Sequence, residues 1–273
     1  MDNVAKTHPV VAPLPLLMIA PNGARRTKTD HPALPITDDE IVETARQCWD
    51  AGADGIHLHI RDEQGRHLLD AARYRALLDR LSDDVPDMYL QVTSEAAGRY
   101  TATEQQAVMR NLQPDHVSVA LREMMPGPDD APQARDFYDW AYDSGVDIQH
   151  ILYSPEDVLS FVAAVNGGVI PDQVHRVIFV QGRYPDGGHN PTPLAAYLNV
   201  LDPVQGMTFD WMVCAFGVSE TDSLVEAAQR GGKMRIGFEN SLWHGDRTRA
   251  KDNAERVRHL ITALADGAVL AED

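Results

Sequence analysis

Short apolar runs alternate with longer amphipathic stretches along the chain. The run "LPLLMIA" reads as a buried strand. "TDDEIVETARQCWDAG" reads as a helix with Thr37 as N-cap, Glu40 three residues on and Gly52 as its stop. The alternation then repeats. "GIHLHI" is followed by "DAARYRALLDRLSDDVP", "MYLQVTS" by "TATEQQAVMRNL", and "HVSVAL", after a Pro/Asp-rich loop, by "APQARDFYDWAYDSG". "IQHILYS" leads into "PEDVLSFVAAV", which opens on Pro155 at the first helical position, and "VHRVIFVQG" leads into "TPLAAYLNVL". "FDWMVCAFG" with "ETDSLVEAAQRGG", and "KMRIGFEN" with "AKDNAERVRHLITALADG", complete the series.

Short, mainly apolar strands are what a parallel sheet buried on both faces requires. Eight consecutive strand–helix units are more than doubly wound sheets ordinarily hold. The expected fold is therefore α/β, a (β/α)8 TIM barrel, formed as one domain over residues 1–273. No low-complexity linker, charge run or internal repeat divides it.

Composition narrows the class of function. The 24 basic residues stand against 41 acidic ones, a formal charge of −17. Such a surface repels nucleic acid and anionic membrane, so neither is an expected partner. Cys48 and Cys214 lie far apart, which excludes a disulfide framework and a cysteine-type zinc site and fits a reducing, cytoplasmic setting. "VVAPLPLLMIA" is broken by Pro13 and Pro15 and followed by basic residues, so it reads as the lead-in to a strand rather than a signal peptide. No apolar run approaches the ~18 residues that span a membrane. A homo-oligomer, dimer or tetramer, is the expected assembly.

In a barrel of this kind the chemistry sits where the strands end. His57 and His59, at i and i+2, share one face of the second strand. They are either a packed, hydrogen-bonded pair or two ligands of one metal. Glu239, at the end of the eighth strand, tips the choice. Strands eight and two are separated only by strand one, ~9–10 Å at ~4.8 Å per strand. Two histidines and one carboxylate leave positions open for substrate, the pattern of a catalytic rather than a structural zinc. The other strand ends carry Asn22, Arg25, Arg26, Thr27 and Lys28; Arg61; Thr93, Ser94 and Glu95; Arg122 and Glu123; Gln181 and Arg183; and Arg235. A net-negative protein that gathers cations around one metal suits carboxylates or phosphates, with Arg26 or Lys28 expected to be plain surface charges.

"APNGARRTKTDHPALPIT", "AGADGIHLHIRDEQGRH", "LQVTSEAAGRY", "FVQGRY", "WMVCAFG" and "MRIGFENSLW" resemble the β-keto acid cleavage enzymes, also called 3-keto-5-aminohexanoate cleavage enzymes, from Ala20 to about Asn253. The resemblance implies a zinc-dependent TIM barrel that turns a β-keto acid and acetyl-CoA into acetoacetate and a new acyl-CoA. It implies Zn2+ on His57, His59 and Glu239, a role for Arg235 at the substrate carboxylate or oxyanion, and a hydroxyl role for Thr93 with Ser94 beside it. Two positions depart from the family pattern. The aspartate that follows the zinc-binding glutamate is Asn240 here, and an amide cannot act as a base. The glutamate that some members carry in the first loop is Arg25 here, which suggests an anionic substrate tail. Glu123, Glu95 and Asp62 are the acids left to move the proton, Glu123 being preferred unless it merely pairs with an arginine; a zinc hydroxide is the alternative. Arg122 and Arg183 are expected at the substrate, and the loop from Gly182 to Thr192 is a candidate for CoA contacts. A zinc-dependent aldolase or decarboxylase, or a non-catalytic ligand-binding barrel, are the alternative functions.

Overall fold

The computed structural model describes residues 13–183, 192–202 and 204–269. Eight parallel strands close into a barrel: β1 (Leu17–Ile19), β2 (Gly55–Leu58), β5 (Tyr89–Thr93), β6 (His116–Ala120), β7 (Asp147–Leu152), β8 (Val174–Gln181), β9 (Thr208–Ala215) and β10 (Lys233–Ile236). They follow chain order around the ring. β1 closes it, pairing with β10 through Met18 and Arg235 and with β2 through Ile19 and Ile56. The expected (β/α)8 barrel is the fold observed.

Helices cover the strands where their apolar stripes require it. α1 (Asp38–Asp50) starts in the anticipated capping box, in which Thr37 and Glu40 each satisfy the other's backbone N–H. α2 (Ala71–Asp84), α3 (Ala102–Leu112) and α6 (Pro155–Asn166) are capped by Asp70, Thr101 and Ser154. α5 (Ala131–Ser144), α7 (Leu194–Leu201), α8 (Glu220–Gln229) and α9 (Asn253–Val269) complete the outer layer. Tyr74, Leu77, Phe137, Phe161 and Leu260 are buried between the helices and the barrel wall. No helix among the described residues is long and apolar enough to cross a membrane.

Three local features depart from a plain reading of the pattern. The run "GIHLHI" does not stay in the barrel. It leaves the sheet after Leu58, and β3 (Ile60–Arg61) pairs antiparallel with β4 (His67–Leu68) in a hairpin at the rim. Asp62 makes the turn of that hairpin by accepting from the N–H groups of Gln64 and Arg66. Arg122 and Glu123 lie in a short helix, α4 (Leu121–Met124), directly after β6. Glu239 lies beyond β10 in a turn, where Asn240 and Ser241 donate back to the Gly237 carbonyl. Gly237, at φ 142°, has no room for a Cβ, which would stand 2.3 Å from the Ala20 carbonyl oxygen.

Candidate metal centre and substrate cavity

The rim of the barrel is assembled from long-range backbone contacts. Arg61 is buried and donates to the carbonyls of Asn22, Gly23, Gly65 and Arg26, so it braces the loop after β1 rather than facing substrate. Asn22 donates to the carbonyls of Pro35 and His59, tying that loop to the end of β2. Gly23, at φ 60°, lies against Glu239; a Cβ there would stand 2.6 Å from the glutamate Cγ. The loop therefore fixes both the imidazole strand and the carboxylate.

The three groups expected to hold a metal converge. His57 Nε2 and His59 Nε2 are 3.1 Å apart, and Glu239 Oε2 lies 3.7 Å from the first and 3.5 Å from the second. A tetrahedral zinc with bonds of about 2.0–2.1 Å separates its ligands by about 3.3–3.5 Å, so the triangle matches the size of such an ion. Among the described residues this is the group of metal-ligand side chains whose donor atoms come so close together.

The hydrogen bonds behind the rings say where the protons are. His67 Nε2 contacts the Glu95 carbonyl at 2.9 Å, and a carbonyl only accepts, so His67 carries its proton there. Burial, with His59 beside it, pushes the His67 imidazole down to about 3, leaving it neutral with a bare Nδ1. His59 Nδ1, 3.4 Å away, is then the donor, and its Nε2 is bare. His57 Nδ1 donates to Gln91 Oε1 at 2.8 Å, so its Nε2 is bare as well. Gln91 in turn donates to Gln149 Oε1 across the barrel interior, and Gln149 donates to Met212 Sδ. Burial, reinforced by Arg235, holds His57 down at about 3. Two bare nitrogen lone pairs facing each other with a carboxylate oxygen alongside form a donor set that fits a divalent cation. Burial works against the Glu239 charge, but the Arg235 guanidinium outweighs it and keeps the carboxyl well below the usual carboxylate range.

A cavity of about 260 Å³ opens above the triangle. Of the residues singled out in the sequence it is lined by Arg25, His57, Thr93, Glu95, Arg122, Glu123, Arg183, Arg235 and Glu239. Arg235 is buried; one nitrogen donates to Glu239 Oε1 at 3.1 Å and contacts Cys214 Sγ. Its Nε and Nη1 make no hydrogen bond among the described residues. The Arg122 guanidinium carbon sits over Tyr153, 3.6 Å from the ring centre, and one of its nitrogens lies 3.9 Å from Asp157. Thr93 Oγ1 accepts from the Glu95 N–H and the Ser118 hydroxyl, which leaves its own proton to donate. Ser94 is buried behind this wall and gives its hydroxyl to the Ser118 carbonyl. Asn240 is fully buried and does not line the cavity. Lys28 is paired with Glu40 on the surface, whereas Arg26 is buried against the Asn240 carbonyl. Residues 184–191, most of the loop considered for CoA contacts, lie outside the described residues.

Gln91, His67 and Tyr153 were not singled out in the sequence. Gln91 and Gln149 carry a signal all the same: an amide in the middle of an apolar barrel strand has to find a polar partner in the interior. His67 depends on the hairpin, which the period-two pattern does not announce.

The chain is thus a (β/α)8 barrel with two histidines and a carboxylate gathered beneath a cation-lined cavity. The chain is a member of the beta-keto acid cleavage enzyme family, whose model matches residues 16–268. It is 27% identical over 247 residues to the 3-keto-5-aminohexanoate cleavage enzyme of Acetoanaerobium sticklandii, covering 88% of this chain and 87% of that protein. To the 3-oxoadipate:acetyl-CoA acetyltransferase of Cupriavidus necator it is 25% identical, over 92% and 88% of the two chains. Among solved structures, ObcA in complex with oxaloacetate superposes with a TM-score of 0.65 at 15% identity, covering 88% of this chain and 64% of that one, a likeness of fold.

Proposed function

We propose that the protein is a zinc-dependent β-keto acid cleavage enzyme that takes a β-keto acid and acetyl-CoA to acetoacetate and a new acyl-CoA. The observation that carries this reading is the triangle of His57 Nε2, His59 Nε2 and Glu239 Oε2, both imidazoles presenting bare lone pairs beneath the cavity. Family membership supports the keto-acid substrate, and the name of the Cupriavidus necator relative supports acetyl-CoA as co-substrate. A zinc ion held by the triangle supplies Lewis-acid polarisation of a carbonyl.

The chain's own residues supply the rest. Arg235, with donors not engaged by the described residues, holds the substrate carboxylate. Thr93 donates its hydroxyl proton to an oxygen on which charge develops. Arg25, Arg122 and Arg183 make the outer cavity cationic and favour an acid whose far end is also anionic. Asn240, buried off the cavity, packs beneath the rim and moves no proton. Loss of a proton from the α-carbon leaves a carbanion that attacks the acetyl thioester and expels CoA thiolate. The thiolate then attacks the original keto carbon, the bond between that carbon and the α-carbon breaks, and the released carbanion is reprotonated to acetoacetate.

The test is a panel of short β-keto acids, with neutral and anionic tails, assayed with and without acetyl-CoA. Acetoacetate formed only with the thioester, fastest from the anionic-tailed acids, is the expected result. Turnover of the same acids without thioester would replace this reading with a lyase.

A further inference from the structure

Three carboxylates line the cavity: Glu95, Glu123 and Glu239. Glu239 is engaged with Arg235 and the two imidazoles. Asp62 is spent in the rim hairpin, where it also pairs with Arg66. Glu123 faces the protein rather than the centre: Oε2 accepts from the Ala96 N–H at 3.0 Å. With its amide turned to face these acceptors, Gln105 donates to the same oxygen at 3.2 Å and to the Ser94 carbonyl at 2.6 Å. Glu95 remains. Its Oε2 stands 3.8 Å from His59 Nε2, close to the centre yet beyond hydrogen-bond reach of it.

The backbone around Glu95 is held on every side. Its N–H donates to Thr93 Oγ1, its carbonyl accepts from His67 Nε2, and the next N–H donates to Glu123. Two residues on, Ala97 adopts φ 47°, a left-handed conformation costly for a residue with a Cβ. Strain of that kind persists where the surroundings over-determine the backbone, and here the restraints converge on the residue that carries a carboxylate over the metal-binding triangle. We infer that Glu95 takes and returns the α-proton in this chain, and that Glu123 is the positioning residue that sets it. The inference rests on the keto-acid reading above.

The step balances with one group. The Glu95 carboxylate takes a proton from the α-carbon, and the C–H electron pair passes into the adjacent carbonyl as an enolate. After the new acyl-CoA has formed, the same carboxyl returns its proton to the carbanion of acetoacetate. No other acid is consumed or created.

The experiment compares wild type with Glu95→Gln, Glu95→Ala and Glu123→Gln by three readouts. These are metal content, deuterium exchange at the α-carbon of a β-keto acid followed by NMR without acetyl-CoA, and acetoacetate formation with it. Glu95→Gln should keep its full metal content and lose exchange by about 10²-fold or more. Formate should restore part of the exchange in Glu95→Ala, which a structural role would not permit, while Glu123→Gln should lose about 10-fold or less. Exchange in Glu95→Gln within a few-fold of wild type, loss of metal from that variant, or an equal fall in Glu123→Gln would each overturn the assignment. A wild type that exchanges but forms no acetoacetate would leave Glu95 standing and remove the cleavage reading. A wild type that forms acetoacetate, with exchange intact in Glu95→Gln, would do the reverse. One that does neither removes both.

Discussion

The two ends of the barrel use the same residue types to opposite ends. At the N-terminal end Arg176 pairs with Asp147 at 2.8 Å, Lys233 with Asp210 at 2.6 Å, and Asp210 also accepts from the Leu14 N–H. These charges answer one another and shut that end. At the other end Arg25, Arg122, Arg183 and Arg235 share a cavity with Glu95, Glu123 and Glu239. There the donors and acceptors point at a common space rather than only at partners. A ring of charge by itself says little about function; what separates the two ends is whether the charges pair across neighbouring strands or line a common cavity.

Three substitutions sharpen or break that contrast. The largest effect is expected for His59→Ala, which removes one corner of the triangle. Bound zinc should fall to a small fraction of wild type and kcat/KM by more than about 10⁴-fold, while the protein melts close to metal-stripped wild type. Equal zinc in the two proteins would show that the corner is not a ligand. Next comes Arg176→Ala, which leaves the buried Asp147 without its cation; burial already pushes that carboxyl up to about 7, so it should take up a proton, at a cost of about 1–3 kcal/mol in denaturant unfolding. Its kcat/KM per folded molecule should stay within about twofold of wild type; a large loss of activity would mean that the closed end also serves the chemistry. The smallest effect is expected for Arg25→Glu. It should lower kcat/KM for anionic-tailed acids by about 1–3 kcal/mol and leave neutral-tailed acids nearly untouched. A uniform loss across the panel would reduce Arg25 to a general feature of the rim.

Much of this was legible in the residue pattern, and the limits have physical causes. Strand and helix order follow from local periodicity and caps, so Thr37 and Pro155 mark real helix starts. The pairing of His57 and His59 with Glu239 followed from ring closure, which places β1 between β2 and β10. What the pattern could not carry is set by contacts distant in sequence. His67 reaches His59 only because "IRDEQGRHL" folds back as a hairpin, and that segment is too short to show a period. As acids at strand ends, Glu123 was preferred to Glu95 for moving the proton. In the structure the Ala96 N–H donates to Glu123, while Glu95 Oε2 stands 3.8 Å from His59 Nε2.

The row of amides behind His57 has a direction. Each member gives a hydrogen and receives one, from imidazole to Gln91, to Gln149, to the Met212 thioether. Turning the imidazole proton to the other nitrogen would require both amides to rotate, and the last would then set an oxygen lone pair against sulfur, which offers no hydrogen in return. A methionine in the barrel interior thus acts as the latch for a choice made at the nitrogen that faces His59 and Glu239. A core substitution at position 212 would be felt there as a change in which face of the ring is basic, without touching the ring itself.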